Sequence, residues 1–135
     1  MIVSMSKTLP LAMAALLIVA TPVSAHHAFA AEYDANKRIM VSGTVREFEW
    51  TNPHAWLYVV DGKEHGGALW SFEMGSPGGL TRRGWTRTTL KAGDHVTVEG
   101  FAEKDGSRKA NAGMVTTPTG KLFGGFQSTP GAPVK

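Results

Sequence analysis

His26 and His27 stand side by side directly after the small-residue stretch "TPVSA". If the chain is cut after Ala25, His26 becomes the amino-terminal residue. Its α-amine and its imidazole Nδ1 can then close a chelate ring on one metal ion. Unperturbed pKa values are about 7.7–8.0 for the amine and about 6.5 for the imidazole, so both nitrogens can shed protons near neutral pH when a metal competes. Nitrogen ligands in a near-square array favour Cu(II). A third nitrogen from a distant histidine completes a T-shaped histidine brace, and His54 is the first choice for it. His95 and His65 rank below, because His95 is expected to face solvent and His65 to sit in a hairpin loop. The competing reading is that His26 and His27 open a polar, poorly ordered start. The chain has no cysteine and no HExxH, so thiolate chemistry and a zinc hydrolase site are not expected.

A second group is "EWTNPHAW", residues 49–56. Trp50 and Trp56 flank a tight turn that carries Asn52 and His54. Pro53 pre-sets the backbone, and Asn52 can bond its own turn. The group reads either as a rigid corner pinned by two indoles or as a pocket rim with a stacking surface, an amide and an imidazole. A third group is "WSFEMGSPGGLTRRGW", residues 70–85. Glu73 ends a strand on the parity opposite Trp70 and Phe72. Arg82 and Arg83 follow in a short helix, where one of them is expected to pair with Glu73 and the other to face solvent or an anion. Trp85 closes the stretch. Met74 is a soft donor for copper or simply core filler. Nucleophile, Walker and dinucleotide motifs are missing, so catalysis has little support beyond a bound copper ion.

The elements that hold these groups read as strands. "IMVSGTVREFEW" (39–50) alternates Ile39, Val41 and Val45 against polar residues, then shifts phase at Phe48 and Trp50. Such a shift after Gly43 predicts a bulged or bent strand. Residues 54–61 are apolar on both parities, as in a strand covered on both faces. Residues 68–74 form a third strand. Ser76 and Pro77 open the one predicted helix. Residues 95–104 and 110–117 give a fourth and a fifth strand, and after Pro118 the pattern fades. The fold class is all-β: a small five-stranded, OB-fold-like Greek-key barrel with one short helix between strands 3 and 4. A β-sandwich is the rival, but it does not call for that helix.

The 135 residues leave room for one domain. Residues 1–25 read as a signal peptide: Lys7, the apolar "LPLAMAALLIVA", then Pro22 and the "VSA" cleavage pattern. The apolar run is too short to span a bilayer, although an uncleaved anchor is the alternative. Residues 26–38 form an N-terminal arm, 39–123 the barrel and 124–135 a flexible tail. A periplasmic location follows, with no transmembrane segment after cleavage. The net charge of +3 then suits an anionic small molecule, lipid or wall polymer, or serves only solubility, and nucleic acid is not expected.

The strings "AHHAFAAEYD", "GTVREFEWTNPHAWLYV", "WSFEMGSPGGLTRRGWTR" and "LKAGDHVTVEGFAEKDGS" together resemble a family of small secreted bacterial proteins whose domain has no known function. The resemblance runs from about Ala25 to Phe123 and implies a signal peptide, export and an OB-like barrel, with no established activity. The motif positions retained are His26, His27, Trp50, Asn52, Pro53, His54, Trp56, Glu73, Met74, Arg82, Arg83 and Trp85. The expected function is a periplasmic, non-enzymatic binding module for a small molecule or an envelope protein. It would present Trp50, Asn52, His54, Trp56, Glu73, Arg82, Arg83 and Trp85 as one surface. The alternative is a copper protein using His26, His27 and His54. The sequence does not specify an oligomeric state.

Overall fold

The computed structural model describes residues 31–62 and 67–125. The expected signal peptide, His26, His27, His65 and the tail beyond residue 125 lie outside them. Within them the chain runs through β1 (Tyr33–Glu49), β2 (Trp56–Asp61), β3 (Leu69–Glu73), α1 (Pro77–Thr81), β4 (His95–Glu103), β5 (Lys109–Asn111), β6 (Met114–Thr117) and β7 (Gly120–Phe123), and Ala31 and Glu32 before β1 are helical. The sheet order is β1-β2-β3-β5-β4-β6-β7, and β1 also pairs with β4. The first five strands therefore close on themselves as β1-β2-β3-β5-β4-β1. That is the five-stranded, OB-like Greek-key barrel, with β3 and β5 as its parallel pair.

Closure depends on β1. Its first part, as far as Thr44, pairs with β4, and its second part, from Gly43, pairs with β2. The strand thus serves two edges and must bend where it changes partner. Gly43 stands there, opposite both Val96 and Asp61. A Cβ at Gly43 would lie 2.1 Å from the Val60 carbonyl oxygen, so only a missing side chain lets the backbones meet. The register shifts again between Val45 and Glu47, which is the bulge behind the phase change at Phe48 and Trp50.

Inward residues fill the barrel: Val41 and Val45 from β1, Leu57 and Val59 from β2, Phe72 from β3, Val96 and Val98 from β4, and Val115 from β6 are all buried. Each such side chain contributes about 1.5–3 kcal/mol by leaving water. Strand β2 alternates, with Leu57, Val59 and Asp61 buried and Trp56, Tyr58 and Val60 only partly covered. The expected cover on both faces is thus uneven: one face is fully buried and the other half-buried. Beyond the barrel, Leu80 of α1 and Trp85 after it are fully buried.

Helix α1 starts where Ser76 and Pro77 predict. The Ser76 hydroxyl accepts the Gly79 amide at 3.2 Å. Ser76→Ala should cost about 0.5–2 kcal/mol, read as a lower urea midpoint with an unchanged slope.

Two boundaries differ from expectation. Strand β1 begins at Tyr33, six residues inside the stretch read as an arm. The expected fifth strand divides at Ala112 and Gly113. Their amides turn to the carbonyls of Glu73 (2.8 Å) and Glu99 (2.8 Å), so β5 joins β3 while β6 joins β4. The hairpin β6–β7 then extends the sheet past Pro118, where the sequence pattern fades. Four residues are too few to show a period.

Candidate functional site

The end of β3 carries the most unusual side chain. Glu73 points to the outer face, opposite Trp56 of β2 and Asn111 of β5, yet it is only 7% exposed. A buried carboxylate needs partners that satisfy it. Glu73 has two. The Tyr33 hydroxyl donates to Oε2, and His54 Nδ1 meets Oε1. An ionised carboxylate only accepts, so Nδ1 carries the proton of that contact and the ring is oriented through it. Tyr33 is itself buried. Desolvation, the bond to Glu73 and the charges of Glu73, Glu32 and Glu103 together hold its phenol well above the ordinary tyrosine range.

The turn before β2 sets His54 in place. Thr51 Oγ1 donates to the His54 carbonyl at 3.1 Å, and the Asn52–Pro53 peptide is cis. The Ala55 amide bonds Gly75 O at 3.0 Å, and the Met74 amide bonds Ala55 O at 2.9 Å. The turn is therefore laced to the end of β3, beside Glu73. The turn bond comes from Thr51, whereas Asn52 is exposed.

A cation borders the cluster. Lys109 stands on β5 opposite Ser71. Its Nζ lies 2.5 Å from Glu32, 3.5 Å from Glu103 and 5.5 Å from the centre of the Trp56 ring. Desolvation pulls its pKa down, but the bonds and charges of Glu32 and Glu103 outweigh it and the net direction is up. The Lys104 amide also bonds Glu32 O at 3.0 Å. Glu32 and Tyr33 are thus fastened to the barrel beside His54.

These shifts fix the sign of an alkaline response. Tyr33 and Lys109 both have folded pKa values above their unfolded ones. Their contributions are complete below the unfolded values, about 10 and 10.4, and are lost as pH rises further. Stability should fall above about pH 10, and Tyr33→Phe should flatten that fall. Urea midpoints across the alkaline range check this.

A family model matches residues 14–112. The chain belongs to DUF6152, a family of unknown function. No curated protein and no solved structure matches it. The span matched by DUF6152 contains Tyr33, His54, Trp56, Glu73, Lys109 and Asn111, and it stops before β6.

Of the residues singled out in this DUF6152 chain, the structure brings His54, Trp56 and Glu73 together and sends the rest elsewhere. Trp50 packs edge-on against Phe48 at 5.7 Å, and Phe48 lies 5.7 Å from Trp85. Trp85 is fully buried, and its indole donates to Phe123 O at 2.8 Å, so it is core and not ligand surface. Arg83 lies over the Phe123 ring at 4.3 Å, and Arg82 caps α1 in solvent. The expected pairing of an arginine with Glu73 is therefore corrected: Tyr33 and His54 hold both oxygens. Met74 is fully buried, and His95 is exposed at the start of β4. Among the described residues no group of three His, Cys, Asp or Glu is placed to hold a metal ion.

Sequence reasoning missed Tyr33, Lys109 and Asn111. Asn111 is fully buried, and its Oδ1 accepts the Phe101 amide at 2.9 Å. Parity was the available signal: Lys109 and Asn111 fall on the same outward set as Ser71 and Glu73 once β3 and β5 are paired.

Proposed function

We propose that this protein is an exported, periplasmic binding module, and that its binding face is the outer surface of β2, β3 and β5 around His54. One observation carries this reading: the buried Glu73 orients His54 through Nδ1 on the same face as the partly open Trp56. A strand end that only closed a barrel would not need a buried carboxylate there. The arrangement offers an indole surface, an imidazole held in one orientation and the Lys109 ammonium. Such a set suits a small polar ligand or a segment of an envelope protein. In OB-type barrels the face of strands 2 and 3 with the loop between strands 1 and 2 serves recognition, which supports the reading by analogy.

Native mass spectrometry of the protein recovered from the periplasm tests it. The wild type should carry a bound species that the His54→Ala/Trp56→Ala variant lacks. A folded variant that keeps the same adduct, or a wild type with none, contradicts the reading.

A second reading is favoured by the position of Tyr33. The carboxylate that orients His54 also fixes the start of β1, seven residues after His26. Seven residues reach at most about 25 Å, more than enough to return to His54 from a shared carboxylate. A His bonded to a carboxylate through one ring nitrogen is also the usual outer-shell arrangement of a metal ligand, with Nε2 toward the metal. Cleaved after Ala25, the chain would bind Cu(II) through the His26 amine and imidazole with His54 as third ligand. Titration with Cu(II) should then give nitrogen-type EPR parameters. One extra residue before His26 should abolish them, and equal binding by both forms defeats this reading.

A further inference from the structure

A second surface lies apart from the His54 face. Residues 74–93 contain Arg82, Arg83, Arg87 and Lys91 and no Asp or Glu, and residues 112–125 contain Lys121 and no Asp or Glu. The fold brings the two segments together. Arg83 lies over the Phe123 ring of β7, and Trp85 bonds Phe123 O. Between them runs an open groove of about 490 Å³, with Gly84, Thr86 and Thr89 on one wall and Thr119, Gly120 and Lys121 on the other. Arg82, Arg83, Arg87 and Lys121 are exposed, and among the described residues none of them makes an ion pair. Lys91, by contrast, is neutralised by Asp94 at 3.0 Å.

The pattern is uneven for a chain that carries 11 acidic residues. Outside these two segments Arg38 and Lys109 each find a carboxylate, whereas Lys37, Arg46 and Arg108 form no ion pair among the described residues but share their strands or turns with acidic residues. A surface built only for solubility intersperses both signs, whereas a concave surface of one sign concentrates its field on an oppositely charged ligand. Arginine adds a planar fork that matches phosphate oxygens, and threonine hydroxyls add neutral donors. We propose that this groove binds the phosphate groups of an anionic ligand, with Lys121 on its wall and Arg83 and Arg87, next in sequence to the lining Gly84 and Thr86, as flanking cations. The proposal is independent of what His54 binds.

The phosphate could belong to a soluble molecule or to a lipid headgroup, and two probes separate them. The first is tripolyphosphate in calorimetric titration at low salt. The second is sedimentation with vesicles of phosphatidylglycerol and phosphatidylcholine. The protein should bind at least one, with affinity falling as salt rises. Arg87→Glu/Lys121→Glu should weaken that binding about tenfold or more, while Lys37→Glu, on the exposed part of β1, should change it less than about twofold. Tripolyphosphate alone would mark a soluble phosphate ligand, and vesicles alone a membrane surface. Binding of neither probe, undiminished binding by the double variant, or an equal loss from Lys37→Glu would overturn the proposal. Circular dichroism confirms that each variant is folded.

Discussion

Glu73→Ala is expected to destabilise the protein by about 2–4 kcal/mol and to release His54 from its fixed orientation. The estimate rests on what the carboxylate leaves behind. The buried Tyr33 hydroxyl loses its carboxylate, which costs about 1–3 kcal/mol. The His54 contact adds less, because the imidazole is 42% exposed and water can replace part of it. Glu73→Gln keeps the shape and one acceptor oxygen, so it should cost less than alanine. Tyr33→Phe should fall between wild type and Glu73→Ala. Combining Tyr33→Phe with Glu73→Ala should add little, since both remove the same bond. Urea unfolding of the four variants gives these numbers directly. If Glu73→Ala is as stable as wild type, the carboxylate does not hold the two elements together.

Trp85→Ala is expected to cost more, about 3–5 kcal/mol. Its indole is fully buried, touches Phe48 and donates to the Phe123 carbonyl, so the substitution opens a cavity and strips β7 of a bond. Trp85→Phe separates the two losses: it refills much of the volume but lacks the N–H. It should recover most of the stability while leaving a deficit of about 1 kcal/mol for the missing bond. A thermal or urea melt of both variants tests the assignment of Trp85 to the core. Equal stability of Trp85→Ala and wild type would return this residue to the surface.

Much of the barrel was legible because its signals are local. The break of period at Gly43 marks the place where β1 changes partner. Ser76 and Pro77 announce α1, and the alternation of 95–99 places Val96 and Val98 inward. The candidate site was legible only in part. Glu73 and His54 stood out by type, but their partnership crosses 19 positions, and Tyr33 joins them from 40 positions away. Nearby arginines made a tempting local partner for Glu73, yet the end of β3 turns its carboxylate to the outer face while Arg83 lies over Phe123. Tyr33 was hidden for a different reason. Pairing with β4 jumps from Tyr33 to Arg38, and the exposed residues between them erase any period that would mark a strand. The halves of the expected fifth strand part at Ala112 and Gly113 because their amides serve two different strands, which no local pattern encodes.

The central claim is that Glu73 holds His54 through Nδ1 and so presents the imidazole in one orientation on the outer face. Nitrogen-15 NMR of the histidine ring, at a pH about two units above the ordinary imidazole pKa, measures this most directly. The account predicts a proton on Nδ1, deshielded by its bond to the carboxylate, and no proton on Nε2. A ring with its proton on Nε2 and a bare Nδ1 would contradict it.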